Sequence, residues 1–172
     1  MSNPAFMSVY FEGERRELKS LYGKMKRLQE RKKPLVENGF YNPKQCLGNL
    51  VTRLGANWHE IYCRGEWSEL KLTDNYLYFF TETAWQPPLE LLELIQKVYP
   101  SLMYYYSSEG DDWDAYLTND IEGRYFSSRY IVDCEPDIEY FDTIAEASKH
   151  LSAYVGKNVA ATWHALNEAA DK

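Results

Sequence analysis

Apolar and polar positions alternate over AFMSVYFEG, with Phe6, Ser8 and Tyr10 on one side and Met7, Val9 and Phe11 on the other, which predicts a strand. Gly13 ends it, and the period then lengthens. Leu18, Leu21, Tyr22, Met25 and Leu28 form one stripe, so residues 14–32 read as a helix whose remaining surface carries Arg15, Arg16, Lys19, Lys24, Lys26, Arg27 and Arg31. A second, short helix is predicted over 42–54, with Asn42 as its N-cap, Pro43 in its first turn and Gly55 as its stop.

From residue 58 the period returns to two. HEIYCRG reads as a strand, and ELKLTDNYLYFFTET as a hairpin turning at Asp74 and Asn75. Pro87 and Pro88 lack the N–H a ladder needs but suit the start of a helix, which then runs to about Tyr99, where Pro100 stops it. Trp85 is expected to be the buried plug between strand end and helix start, so that Trp85→Ala would cost about 3–5 kcal/mol. In SLMYYYSS, Leu102, Tyr104 and Tyr106 point one way, Met103 and Tyr105 the other. Two further strands are expected near DWDAYLTN and GRYFSSRYIVD, followed by an acidic loop, DCEPDIEYFD, and two helices over 142–155 and 157–169 parted by Gly156.

Without the 42–54 helix the order is strand, helix, strand, strand, helix, strand. That is the order of an α+β, ferredoxin-like split βαβ sandwich, here with an inserted short helix and a helical C-terminal tail. The expected division is a domain over 1–140 and an appendage over 141–172 packing on it. A chain of 172 residues is long enough to bury roughly 70% of its unfolded surface, so its core needs no staple.

Cysteine usage fits that reading. Cys46, Cys63 and Cys134 contain no CxxC pair and are odd in number, which argues against a disulfide framework and a zinc knuckle and for a reducing, cytoplasmic setting. No stretch has the apolar length of a membrane span or an export signal, so no membrane partner is expected. The net charge of −7 is unevenly spread. Residues 1–57 hold 11 Lys or Arg against 5 acids, whereas 109–142 hold 2 against 11. A polyanionic partner is disfavoured, except at the basic first helix.

RLGANWHEIYCRGEW and FFTETAWQPPLELLELIQKVYPSLMYYYSSEG resemble the YubB-like family of small plasmid- and phage-borne bacterial proteins. The residues that carry the resemblance are Leu54, Gly55, Trp58, Phe80, Thr83, Ala84, Trp85, Pro87, Pro88, Tyr99 and Pro100. It departs at Gln86, where that pattern has a small polar residue, and at Glu82, an extra residue before the motif. The resemblance implies a ferredoxin-like domain of mobile-element origin and brings no established activity.

No pattern in the chain places a catalytic group. His59 and Cys63 would share a strand face, but nothing completes a tetrahedral metal site. The serines and histidines lack a nucleophile elbow, YVGKNVA lacks the first Gly and the Ser/Thr of a phosphate loop, and the acidic pairs lack a calcium-loop frame. No cofactor, metal or enzymatic activity is therefore expected. The candidate binding surface consists of sheet tyrosines and neighbouring acids: Tyr76, Tyr78, Tyr104 and Tyr106 with Asp111, Asp112 and Asp114. Its expected use is in a noncatalytic protein-interaction module, engaging another protein or a second copy. The alternatives are a single-stranded nucleic-acid binder that stacks bases on an aromatic sheet face and an acidic mimic of DNA. The plainest alternative is that the chain's own tail covers those tyrosines.

Overall fold

The computed structural model describes residues 3–36, 44–110, 116–134 and 137–156. Asn42, Pro43, Asp111, Asp112, Asp114 and the helix expected at 157–169 lie outside the described residues. The chain divides into two compact units, Met1–Asn119 and Asp120–Lys172. The division falls ahead of the expected boundary at residue 140.

The first unit is built around β1 (Pro4–Glu12), whose alternating sequence buries Ala5, Met7, Val9 and Phe11 and leaves the residues between them partly exposed. After it come α1 (Arg15–Glu30), α2 (Leu47–Arg53), β2 (Gly65–Leu72), β3 (Leu77–Ala84), α3 (Leu89–Val98), β4 (Met103–Gly110) and the short β5 (Leu117–Thr118). The strands form one sheet in the order β2-β3-β1-β4-β5, with every neighbouring pair antiparallel. The connections β1 to β2 and β3 to β4 therefore each skip one strand, and helices make both crossings. Leu18, Leu21 and Met25 of α1 share one core with Leu91, Leu92 and Ile95 of α3 and with Met7, Val9, Phe11, Leu77 and Phe79 of the sheet. Both crossing helices thus lie on the same sheet face.

Polar groups fix the helix ends. The Glu17 carboxylate accepts hydrogen bonds from the Ser101 N–H (3.1 Å) and hydroxyl (2.7 Å), pinning the first turn of α1 to the start of β4. Gly13, at φ +147°, passes so close to the Ser101 carbonyl that a Cβ has no room there. At the C-terminal end of α3, the Tyr99 hydroxyl meets Lys24 Nζ (2.6 Å) and the Ser20 hydroxyl (3.1 Å) of α1.

Three elements differ from the sequence pattern, each because backbone groups find other partners. Helix α2 starts at Leu47, with Cys46 as N-cap. The residues just before it pair with β2 instead: Trp67 N–H donates to the Gln45 carbonyl (2.9 Å) and Gln45 Nε2 donates to the Trp67 carbonyl (2.8 Å). HEIYCRG is not a strand. Asn57 turns it, accepting from His59 N–H through its side chain (3.1 Å) and from Glu60 N–H through its backbone (3.0 Å), and Tyr62 N–H goes to the Glu90 carboxylate (2.6 Å). Pairing begins only at its end, where Ala84 N–H donates to the Arg64 carbonyl (3.0 Å) and Gly65 opens β2. Of the strand expected near DWDAYLTN, the described residues keep only β5; beyond it the Asn119 carboxamide takes the place of a strand, accepting from Tyr106 N–H (2.8 Å) and donating to the Tyr104 carbonyl (2.9 Å).

In the second unit, β6 (Tyr130–Cys134) pairs antiparallel with β7 (Asp137–Phe141), and α4 (Ile144–Val155) packs Ala147 against Val132. The acidic segment expected as a loop is thus partly strand. Thr143 caps α4: its hydroxyl oxygen accepts from Glu146 N–H (3.3 Å) and its hydroxyl donates to the Glu146 carboxylate (3.0 Å). Asp120, 1% exposed, accepts from the N–H groups of Arg124, Tyr125 and Phe126 at 2.7–2.9 Å. Burial pushes its carboxyl up, but the three N–H donors outweigh that and hold it below its ordinary value. Among the described residues no helix is long and apolar enough to cross a membrane.

Candidate functional site

Strand register separates the tyrosines that sequence reasoning grouped. Val9 lies opposite Tyr106 and Phe11 opposite Tyr104, so both tyrosines stand on the helix-covered face, where Tyr104 packs its ring 6.0 Å from that of Phe11. Tyr10 lies opposite both Tyr78 and Tyr105, on the face away from α1 and α3, called the open face because no described helix of this unit packs on it. Tyr76 joins them, its ring 5.1 Å from that of Tyr10. Tyr76 and Tyr78 therefore share no surface with Tyr104 and Tyr106; the β4 tyrosine of the open face is Tyr105. Burial raises the pKa of Tyr10, Tyr78, Tyr104 and Tyr106.

The open face is ordered in rows across the strands. One row reads Glu66, Glu82, Phe6, Glu109, the next Ser68, Phe80, Ser8, Ser107, Thr118, and a third Lys71, Tyr78, Tyr10, Tyr105. A bulge between Ser68 and Lys71 sets Glu69 at φ +53°, from where its carboxylate accepts the Tyr78 hydroxyl at 3.2 Å. On the covered face the corresponding row is Trp67, Thr81, Met7, Ser108. Trp67 Nε1, Thr81 Oγ1 and Ser108 Oγ in that row are buried and have no hydrogen-bond partner among the described residues.

A second site was missed by sequence reasoning. Trp85 is 59% exposed, which overturns its expected role as a plug. The buried Pro87 and Pro88 fill the step from strand to helix in its place. Trp85 sits at φ +75°, and Gln86 N–H donates to the Ala84 carbonyl across it (3.0 Å), a γ-turn of the rare positive-φ form. Neighbours hold that turn: Trp85 N–H donates to the Asn3 carbonyl (2.8 Å), and the Thr83 hydroxyl donates to the Gln86 carbonyl (2.7 Å).

Next to this turn lies an open groove of about 660 Å³, lined by residues 58–64 together with Gln86 and Glu90. The Trp58 and His59 rings meet within it, centroids 3.9 Å apart and tilted by 34°. His59 is exposed and Cys63 buried, so they do not form the shared strand face expected of them. Burial, with the Cys46 thiol and the Glu90 carboxylate nearby, pushes the Cys63 thiol up to about 11, a value at which it is not nucleophilic near neutral pH. Among the described residues no group of three His, Cys, Asp or Glu could hold a metal ion.

No family model matches the chain, and no curated protein or solved structure matches it either.

Proposed function

We propose that the first unit is a ferredoxin-like, noncatalytic protein-interaction module whose anchor is Trp85 at the rim of the neighbouring groove. The strand order and the two helices on one face support the ferredoxin-like reading. The observation that carries the function is a largely exposed indole set on a backbone turn that hydrogen bonds hold in place. A positive φ at a bulky residue costs on the order of 1–3 kcal/mol and persists only where surrounding bonds impose it, as at ligand clamps. A tryptophan on a fixed main chain loses no further backbone freedom on binding and presents a large apolar area with one donor, the character of an interface hot spot. Trp58 and Trp85 both belong to the residues that carry the YubB-like resemblance, which supplies the proposed mobile-element setting.

A photo-crosslinking amino acid at position 85 is expected to trap discrete protein adducts in cells that make the chain, whereas the same probe at exposed Val98 is not. Nuclease-sensitive adducts, or none from position 85, would overturn the reading. One observation favours a second reading, base stacking: Phe6, Tyr10, Tyr78 and Phe80 all face outward on the two strands β1 and β3. Carboxylates border them, and stacking does not hold a polyanion against that repulsion. Fluorescence polarisation with a labelled single-stranded oligonucleotide at ~0.1 M salt is expected to show no binding at micromolar protein.

A further inference from the structure

We propose that the outward face of α1 receives an acidic segment of a partner protein, a run rich in glutamate and aspartate, with Gly23 as the point of closest approach. The inference rests on residues other than Trp85 and its groove. Residues 15–33 hold nine Lys or Arg against two acids. Several of these cations are engaged: Arg15 pairs with Asp74, Lys24 Nζ meets the Tyr99 hydroxyl, Lys26 lies over the Tyr22 ring, and the Arg31 guanidinium donates to the Lys33 carbonyl. Arg16, Lys19 and Arg27 are exposed, and their charged groups meet no partner among the described residues. Of the two acids, Glu17 is held by Ser101 and Glu30 lies in the last turn.

Arg16, Lys19, Gly23 and Arg27 follow one another at helical spacings of three and four, one row on the side opposite the buried Leu18, Leu21, Met25 and Leu28. Glycine inside a helix is less favourable than alanine. Among the described residues, the only atom within 4 Å of the place a Cβ would take is Arg27 Nη2, at 3.7 Å, so alanine would fit. Packing within this unit therefore gives no reason for a glycine there. A partner main chain crossing the helix does. With no Cβ in its way, it comes close enough for carboxylates on its two sides to reach Lys19 and Arg27, each about 6 Å along the axis from Gly23. Charge selects the class of partner. A short acidic segment meets only the cationic row, whereas a nucleic acid extends past it onto a unit in which residues 58–119 hold 3 Lys or Arg against 11 acids. Three cations also release too few counterions to hold a duplex at physiological salt.

The test is fluorescence polarisation of the full chain with three labelled probes: a glutamate–alanine peptide, a lysine–alanine peptide of equal length and a double-stranded oligonucleotide. The acidic peptide is expected to bind, more weakly as salt rises, and the other two are not. The triple variant Arg16→Gln, Lys19→Gln, Arg27→Gln removes charge from exposed positions, and circular dichroism verifies its fold; it is expected to weaken acidic-peptide binding by roughly tenfold or more. Gly23→Ala keeps every charge. It is expected to raise the midpoint of denaturant unfolding and yet to weaken the peptide by roughly threefold or more, opposite signs that separate docking from a loss of structure. No acidic-peptide binding, or undiminished binding by either variant, overturns the proposal. So does oligonucleotide binding at least as tight as the peptide's and lost in the triple variant, because the face then serves nucleic acid. Salt-sensitive self-association in sedimentation velocity, abolished by the triple variant, also overturns it, because the occupant is then a second copy.

Discussion

Trp85 is where a single residue's conformation departs furthest from what its side chain prefers. Glycine pays nothing at φ +75°. Trp85→Gly is therefore expected to leave stability within about 1 kcal/mol of wild type or to raise it, since strain relief offsets the greater freedom of the unfolded chain. Trp85→Ala keeps the strain and loses only an exposed ring, so its cost is also expected to stay under about 1 kcal/mol. Denaturant titration measures both; a loss of several kcal/mol would show that the indole packs. Gly13→Ala is the opposite case. Its added Cβ meets a backbone carbonyl that Glu17 and Ser101 hold in place, and its φ of +147° is foreign to alanine, so clear destabilisation is expected in the same titration.

Among the elements, the turn after Asp120 is held by one carboxylate and is therefore sensitive to pH. Its folded pKa is depressed, so the stabilisation is complete above the ordinary aspartate range and disappears as pH falls through the lower, folded value. The protection factors of amides 121–126, taken against the intrinsic exchange rate at each pH, are expected to fall on acidification below about pH 4. Asp120→Ala, which orphans three N–H groups, should show the same loss of protection at neutral pH. Unchanged exchange in that variant would mean the turn is held elsewhere. The elements themselves were largely legible in the sequence. Strand β1, helix α1 and the Asp74–Asn75 hairpin follow from period and turn chemistry that local interactions enforce. The 58–64 segment was not legible, because Asn57 and Glu90 divert its N–H groups and Glu90 is distant in sequence. For the tyrosines, period two sorts Tyr104 from Tyr105 within one strand. Which set joins Tyr78 depends on the register of β1 with two neighbours, and no local pattern encodes it. The exposure of Trp85 was hidden for a similar reason, since the bonds from Asn3 and Thr83 appear only once β1 and β3 are paired.

For the molecule as a whole, the sheet order gives β1 an unbroken ladder to a long strand on each side, whereas β3 meets a bulged β2, and the protection of the β1 amides should follow. Within the first unit, hydrogen exchange is expected to be slowest in β1, then β3 and β4, and fastest in β5 and the second half of β2. Exchange in β1 as fast as in β2 would contradict the strand order. Charge adds a second level of organisation. The sheet's open face is acidic although residues 1–57, β1 included, are net basic, because α1 holds most of their cations and packs on the other face.

The Asn119 carboxamide closes the β4 edge with one acceptor and one donor, as a peptide group would. That makes one edge of the sheet depend on a single side-chain nitrogen. Hydrolysis of the amide would replace the donor facing the Tyr104 carbonyl with a carboxylate oxygen, setting two acceptors against each other and releasing the strand edge to pair with another chain. Aged preparations in which position 119 has deamidated are expected to aggregate ahead of fresh ones, and Asn119→Asp should reproduce the aged behaviour from the first day.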